Sequence, residues 1–180
     1  NWRLVLEGTP YWAGSPSPLR HTWSLSIEEQ FYLLWPPILL GVMALGRRTR
    51  RPTWVLAGFA AASGVLSFLW AAWLAMRTTP NLSRIYFGTD TRAGALLLGC
   101  VAAALMFRRR RIRSPHATIR PAPRVTALLA PAAALGLVVL SVTMEPSDRW
   151  AYTGGLAAAA ACSLVLVLAA TRSGLLATLA

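Results

Sequence analysis

Apolar positions fall into five runs separated by polar, charged breaks, covering roughly residues 23–46, 53–76, 90–107, 125–144 and 151–170. A helix rises about 1.5 Å per residue, so some twenty residues cross the hydrocarbon core of a bilayer. The second run, Thr53–Met76, is interrupted only by Gly58, Ser63, Gly64 and Ser67. The third is short and reaches spanning length only if Gly88–Arg92 joins its helix. The first is apolar except for its N-terminal third. The pattern predicts an all-α fold, a polytopic membrane helix bundle with about five transmembrane helices, and residues 1–180 form part of one domain.

Charge sits in the breaks and alternates between them. Arg47, Arg48, Arg50 and Arg51 follow the first run; Arg108–Arg111, Arg113, Arg120 and Arg124 separate the third and fourth. The segments Arg77–Arg92 and Glu145–Trp150 carry fewer cations and hold Asp90, Glu145 and Asp148. Cytoplasmic loops are enriched in Lys and Arg. The loops 47–51 and 108–124 are therefore expected in the cytoplasm, and the intervening loops outside an inner (plasma) membrane. Tryptophans near the run ends, including Trp23, Trp54, Trp70, Trp73 and Trp150, suit the membrane interface; Trp35 lies deeper.

Composition sharpens this picture. All 18 basic residues are arginine, against 6 acids, for a net charge of +12. In a soluble domain that excess would suggest nucleic acid. Here 56 % of residues are hydrophobic and each arginine cluster abuts an apolar run. The clusters read as topology signals in contact with anionic lipid, and no nucleic-acid partner is expected. Cys100 and Cys162 lie inside apolar runs without metal-ligand spacing; they read as packing residues, and no metal is expected. The segment around Gly88–Gly99 lacks the Gly-Lys-Ser/Thr ending of a phosphate loop. Asn81-Leu82-Ser83 matches a glycosylation sequon, a weak signal alone.

Chemistry concentrates in two stretches. The first, HTWSLSIEEQFYLLWPPILL (His21–Leu40), places two carboxylates at the mouth of an apolar run. On a helix, residues four apart share a face. His21, Ser24, Glu28 and Tyr32 thus line one polar stripe, while Glu29 points about 100° away. A charged side chain within hydrocarbon costs roughly 2.5–3.5 kcal/mol on insertion scales. Glu28 is expected to face protein or a cavity; the alternative puts Glu28 and Glu29 in the hydrated interface. Pro36 and Pro37 follow, as a kink or as simple packing. The second stretch is SRIYFGTDTRAGALLLGC (Ser83–Cys100). Asp90 and Arg92, two apart, cannot meet on one helix; they reach other helices or a ligand, or form a solvated loop pair.

HTWSLSIEEQFYLLWP closely resembles a signature of acyltransferase family 3, the multi-span membrane acyltransferases, and the preceding SPLRHTW fits as well. YFGTDTRAGALLLG resembles a second stretch of many bacterial members. The resemblance implies transfer of an acyl group, commonly acetyl. The donor would be acetyl-CoA or another acyl-CoA, and the acceptor a hydroxyl of a sugar-type molecule at the cell surface, such as polysaccharide, lipopolysaccharide or peptidoglycan. The family's serine-x-x-x-glutamate element falls on Ser24 and Glu28; His21, Gln30, Phe31 and Tyr32 match the same signature. Its threonine–aspartate–x–arginine element falls on Thr89, Asp90 and Arg92. The expected catalytic set is Glu28, Ser24 and His21, and the substrate-binding set Asp90, Arg92, Tyr32 and Gln30.

The departures define further expectations. The arginine and histidine of the family's first membrane helix are missing here, as is the arginine-rich motif after its third. His21 does not match that histidine, the usual candidate base. The chain is expected to be the middle and later part of such an enzyme, inactive alone. Two other classes keep the same carboxylate: a transporter or flippase using it as a proton relay, and a non-catalytic membrane scaffold.

Overall fold

The computed structural model describes residues 1–7, 22–49, 51–112 and 124–172, and every regular element among them is helical. A short α1 (Trp2–Glu7) precedes α2 (Trp23–Arg47), α3 (Pro52–Ala75), the short α4 (Leu82–Phe87), α5 (Thr89–Ile112), α6 (Arg124–Thr143) and α7 (Leu156–Arg172). A π-helical turn, Ala151–Gly155, opens α7. Among the described residues three helical stretches are long and apolar enough to cross a membrane: Pro52–Ala75, Leu82–Phe107 and Ala151–Thr171. The remaining two runs also form helices. α2 has 25 residues, but Glu28, Glu29, Gln30 and two prolines dilute its apolar character. The apolar part of α6 that meets the same description is shorter, Leu129–Thr143.

Pro52 takes the first position of α3, where its missing N–H leaves no donor orphaned. Gly46 is buried against that proline; a Cβ there would lie 2.8 Å from Pro52 Cα. α2 runs unbroken through Pro36 and Pro37, both exposed, so neither is packed against the described helices.

The most extensive helix contact joins α3 and α5, and small side chains make it possible. Ala57, Ala60, Gly64, Ser67, Ala71 and Ala75 are buried at three- and four-residue spacings along α3. Helices in lipid gain little from burying apolar surface against each other, so small residues that admit close backbone approach carry the association. Gly94 of α5 lies flat against Phe68, where a Cβ would come within 2.9 Å of the ring. The opposite surfaces, including Val65, Leu66 and Leu69 of α3 and Leu135, Val138 and Val142 of α6, are exposed, as lipid-facing positions should be.

One end of the bundle is pinned by a compact core. Ala71 and Ala75 of α3 meet Ile85 of α4 and Ala151 and Tyr152 of the π-turn, with Leu74, Tyr86, Met144 and Leu156 packed around them. Asn81 caps α4 by accepting from the Arg84 N–H at 2.9 Å. α4 ends at Gly88 and α5 begins one residue later. This break turns the chain so that the first turn of α5 is surrounded on all sides.

Candidate functional site

Successive helical residues point about 100° apart. Four in a row therefore sweep a full circle, and Thr89-Asp90-Thr91-Arg92, at the start of α5, does so with a different partner in each direction. Thr89 Oγ1 donates to Gln30 Oε1 of α2 at 2.8 Å. Asn1 closes the loop: its Nδ2 donates to Thr89 Oγ1 at 2.8 Å and to the Phe87 carbonyl at 3.0 Å, and its Oδ1 accepts from Gln30 Nε2 at 2.8 Å and from Ser26 Oγ at 3.3 Å. The two signature stretches are thus joined by side-chain hydrogen bonds across 59 residues of sequence.

Asp90 is gripped from two sides. Arg84 of α4 binds both carboxylate oxygens, at 2.9 and 2.7 Å, and Trp70 Nε1 of α3 donates to Oδ2 at 2.8 Å. This fork-to-fork pairing is the strong form of an ion pair. It passes over Gly88, where a Cβ would collide with the Arg84 guanidinium and lie 2.7 Å from Asp90 Oδ1. Thr91 is buried and donates to the carbonyls of Ile85 and Gly88, locking α4 to α5. From α3, Ser67 Oγ donates to the Asp90 carbonyl and accepts from the Gly94 N–H at 3.0 Å.

Arg92 points the fourth way. Its Nε donates to the Tyr86 carbonyl at 3.0 Å. The guanidinium carbon lies 4.7 Å from the Tyr86 ring centre and 5.5 Å from that of Trp23 on α2, within cation–π range. Asp90 and Arg92 do not pair with each other; both reach other elements.

α2 meets this junction with Trp23, Ser26, Ile27 and Gln30: Ile27 is buried, and Ser26 and Gln30 form the bonds just given. The stripe expected to face inward, Ser24–Glu28–Tyr32, is turned roughly 150° from that face. Ser24 and Tyr32 are exposed and Glu28 is half-buried. The reason is steric and polar together. The described helices pack on the face whose side chains can bond Asn1 and Thr89, and this leaves the carboxylate on the other side. His21 lies outside the described residues.

Below the Gln30–Thr89 pair an apolar groove of about 200 Å³ runs between α2, α3 and α5, lined by Phe31, Leu34, Trp35, Phe59, Leu96 and Leu97. Trp35, too deep for an interfacial role, stacks on Phe31 with ring centres 5.2 Å apart. At the far end of α2, Arg47 and Arg48 are exposed. Among the described residues no group of three or more His, Cys, Asp or Glu could hold a metal ion.

Sequence reasoning missed Asn1, Ser26, Trp70, Arg84, Tyr86 and Tyr152 as neighbours of these motifs. Arg84 alone left a signal: a glycine between an arginine and an aspartate six apart lets the chain fold back and pair them. The others depend on tertiary packing.

The chain is 41 % identical over 105 residues to the peptidoglycan O-acetyltransferase OatA of Listeria monocytogenes, covering 57 % of this chain and 16 % of the relative. It is 39 % identical over 119 residues to a Bacillus subtilis protein provisionally named peptidoglycan O-acetyltransferase YrhL, covering 63 % and 17 %. A provisionally named O-acetyltransferase of Staphylococcus aureus is 29 % identical over 157 residues, covering 86 % and 24 %. The chain thus spans between about a sixth and a quarter of the length of these relatives. No solved structure matches it significantly. The profile of the acyltransferase domain family, acyltransferase family 3, matches residues 1–178, and the chain belongs to that family.

Proposed function

We propose that this chain is the site-bearing part of a membrane O-acyltransferase of the inner (plasma) membrane. It moves an acyl group, acetyl, from acetyl-CoA on the cytoplasmic side to a hydroxyl of a sugar-type acceptor on the outer side. The acceptor class is cell-surface polysaccharide, and the named relatives favour peptidoglycan. The observation that carries the reading is the Gln30–Thr89–Asn1 junction, which holds the two signature stretches together at one end of the bundle. The exposed Arg47 and Arg48, at the opposite end of α2, support a cytoplasmic position for that end.

In the reaction the acceptor hydroxyl oxygen attacks the acyl carbonyl carbon, directly or after a carrier step. A new C–O ester bond forms, the C–S thioester bond breaks, and coenzyme A leaves as its thiol. The hydroxyl proton must go to a base. Glu28 fills that role, or orients a histidine supplied from elsewhere in the protein; Ser24, one turn away, would hydrogen-bond it or the acceptor. A carboxylate on a membrane helix is tolerated where protein or water covers it. The face of Ser24, Glu28 and Tyr32 is therefore turned toward the remaining helices of the full protein. Asp90 is fully engaged by Arg84 and Trp70, which leaves Arg92 to the acceptor.

The test uses the full-length protein in cells. Glu28→Gln should abolish acylation of the surface polymer while the polymer still reaches the surface. Loss of export, with acylation of already exposed polymer intact, would make the protein a transporter; neither loss would make it a scaffold.

A further inference from the structure

Among the described residues Arg92 is a cation without an anion: no carboxylate forms an ion pair with it, and the nearby Asp90 is committed to Arg84 at 2.7 Å. Among the described residues only its Nε is hydrogen-bonded, to the Tyr86 carbonyl. Its guanidinium lies against both the Tyr86 and Trp23 rings, which touch each other with centres 4.7 Å apart, and borders a cavity of about 230 Å³ lined also by Met144, Glu145 and Tyr152. A charge drawn out of water and left unpaired is costly unless something completes it. The cavity walls are fixed: Tyr152 Oη donates to the Pro146 carbonyl at 2.7 Å, clamping the loop before the π-turn onto that turn. A planar fork of donors facing a preformed cavity is the arrangement that recognises carboxylates and phosphates. The cavity lies at the same end of α2 as the Gln30–Thr89 junction.

We propose that this cavity seats one anionic group of the acyl acceptor, a carboxylate or a phosphate, against the two terminal nitrogens of Arg92. The sugar ring lies over the neighbouring aromatic faces. The assignment rests on the acyltransferase reading and adds the acceptor's charge to it. Exposed Glu145, at the cavity wall, weakens anion binding by repulsion and keeps the acceptor releasable.

The experiment measures binding and acetyl transfer separately, with the purified full-length protein in detergent micelles. Three soluble disaccharides serve as probes: one carrying a ring-linked carboxylate, its carboxamide, and its phosphate counterpart. The protein should bind the two charged probes at least about tenfold more tightly than the carboxamide, and the tighter of the two identifies the natural group. Arg92→Gln should erase the difference, and Arg92→Lys should keep part of it. Glu145→Gln, at an exposed position that the fold tolerates, should tighten the charged probes about two- to threefold and leave the carboxamide unchanged.

Equal binding of all three probes by the unmodified protein overturns the proposal. So does an equal loss for all three in Arg92→Gln, which would make Arg92 a brace for Tyr86. If Arg92→Gln does not fold, Glu145→Gln decides, and no differential change there overturns the assignment. A charge preference that depends on Arg92, without acetyl transfer to any acceptor, upholds the anion site and removes the acyltransferase reading. Transfer without charge preference does the reverse.

Discussion

Removing the Arg84–Asp90 clasp probes how firmly α4 and α5 are held. The pair makes two charge-assisted hydrogen bonds at 2.9 and 2.7 Å. Buried, two such bonds would contribute about 3 kcal/mol at the lower end of the usual range. The side chains are 25 % and 38 % exposed, and fully exposed pairs contribute only about 0.2–1 kcal/mol. The coupling between the two residues should therefore be about 1.5 kcal/mol, roughly a tenfold effect on an equilibrium. Asp90→Ala should cost more than this, about 3 kcal/mol, because it leaves both Arg84 and the Trp70 N–H without their acceptor. Arg84→Ala also loses its contact over the Trp2 ring at 5.1 Å. The assay is denaturant titration of the full-length protein in mixed micelles, applied to both single variants and the double variant. A coupling below about 0.5 kcal/mol would refute the reasoning and mark the pair as an ordinary surface contact.

The remaining predictions follow from packing and topology. Gly94→Ala should cost about 1 kcal/mol, since only the Phe68 ring must shift, whereas Gly94→Leu should cost about 3 kcal/mol by forcing α3 and α5 apart; the same titration reads both. In a variant freed of its native cysteines, Cys introduced at exposed Ser147 should react with an impermeant reagent in intact cells. Cys at exposed Thr49 should react only after permeabilisation, and reversed labelling would invert the orientation.

Periodicity and charge located the long helices because a membrane makes them legible. The expected runs 53–76 and 90–107 became α3, Pro52–Ala75, and α5, Thr89–Ile112. The short α4 was read as part of a loop, since six residues cannot show a helical period above noise. Asn81, read as a sequon, is the cap of that helix. Spacing told correctly that Asp90 and Arg92 look to different partners, but not to which. The inward face of α2 was not legible. Ser24–Glu28–Tyr32 is the more polar stripe, and polarity marks a face as special without saying what covers it. Packing in the described helices chose Ile27 and Gln30, because only that face can bond Thr89 and Asn1. The π-turn that brings Tyr152 toward Arg92 has no sequence signal beyond Gly154-Gly155.

In the proposed reaction the α2 signature and the first turn of α5 act as one unit in acyl transfer. Transfer rates for Gln30→Leu, Thr89→Val and the double variant of the full-length protein test it most directly. Each single change removes the shared Gln30–Thr89 hydrogen bond and one bond to Asn1 and should lower transfer about tenfold, with the double variant little worse than the poorer single one. Full transfer in both single variants, or independent losses multiplying to about a hundredfold, would contradict the account.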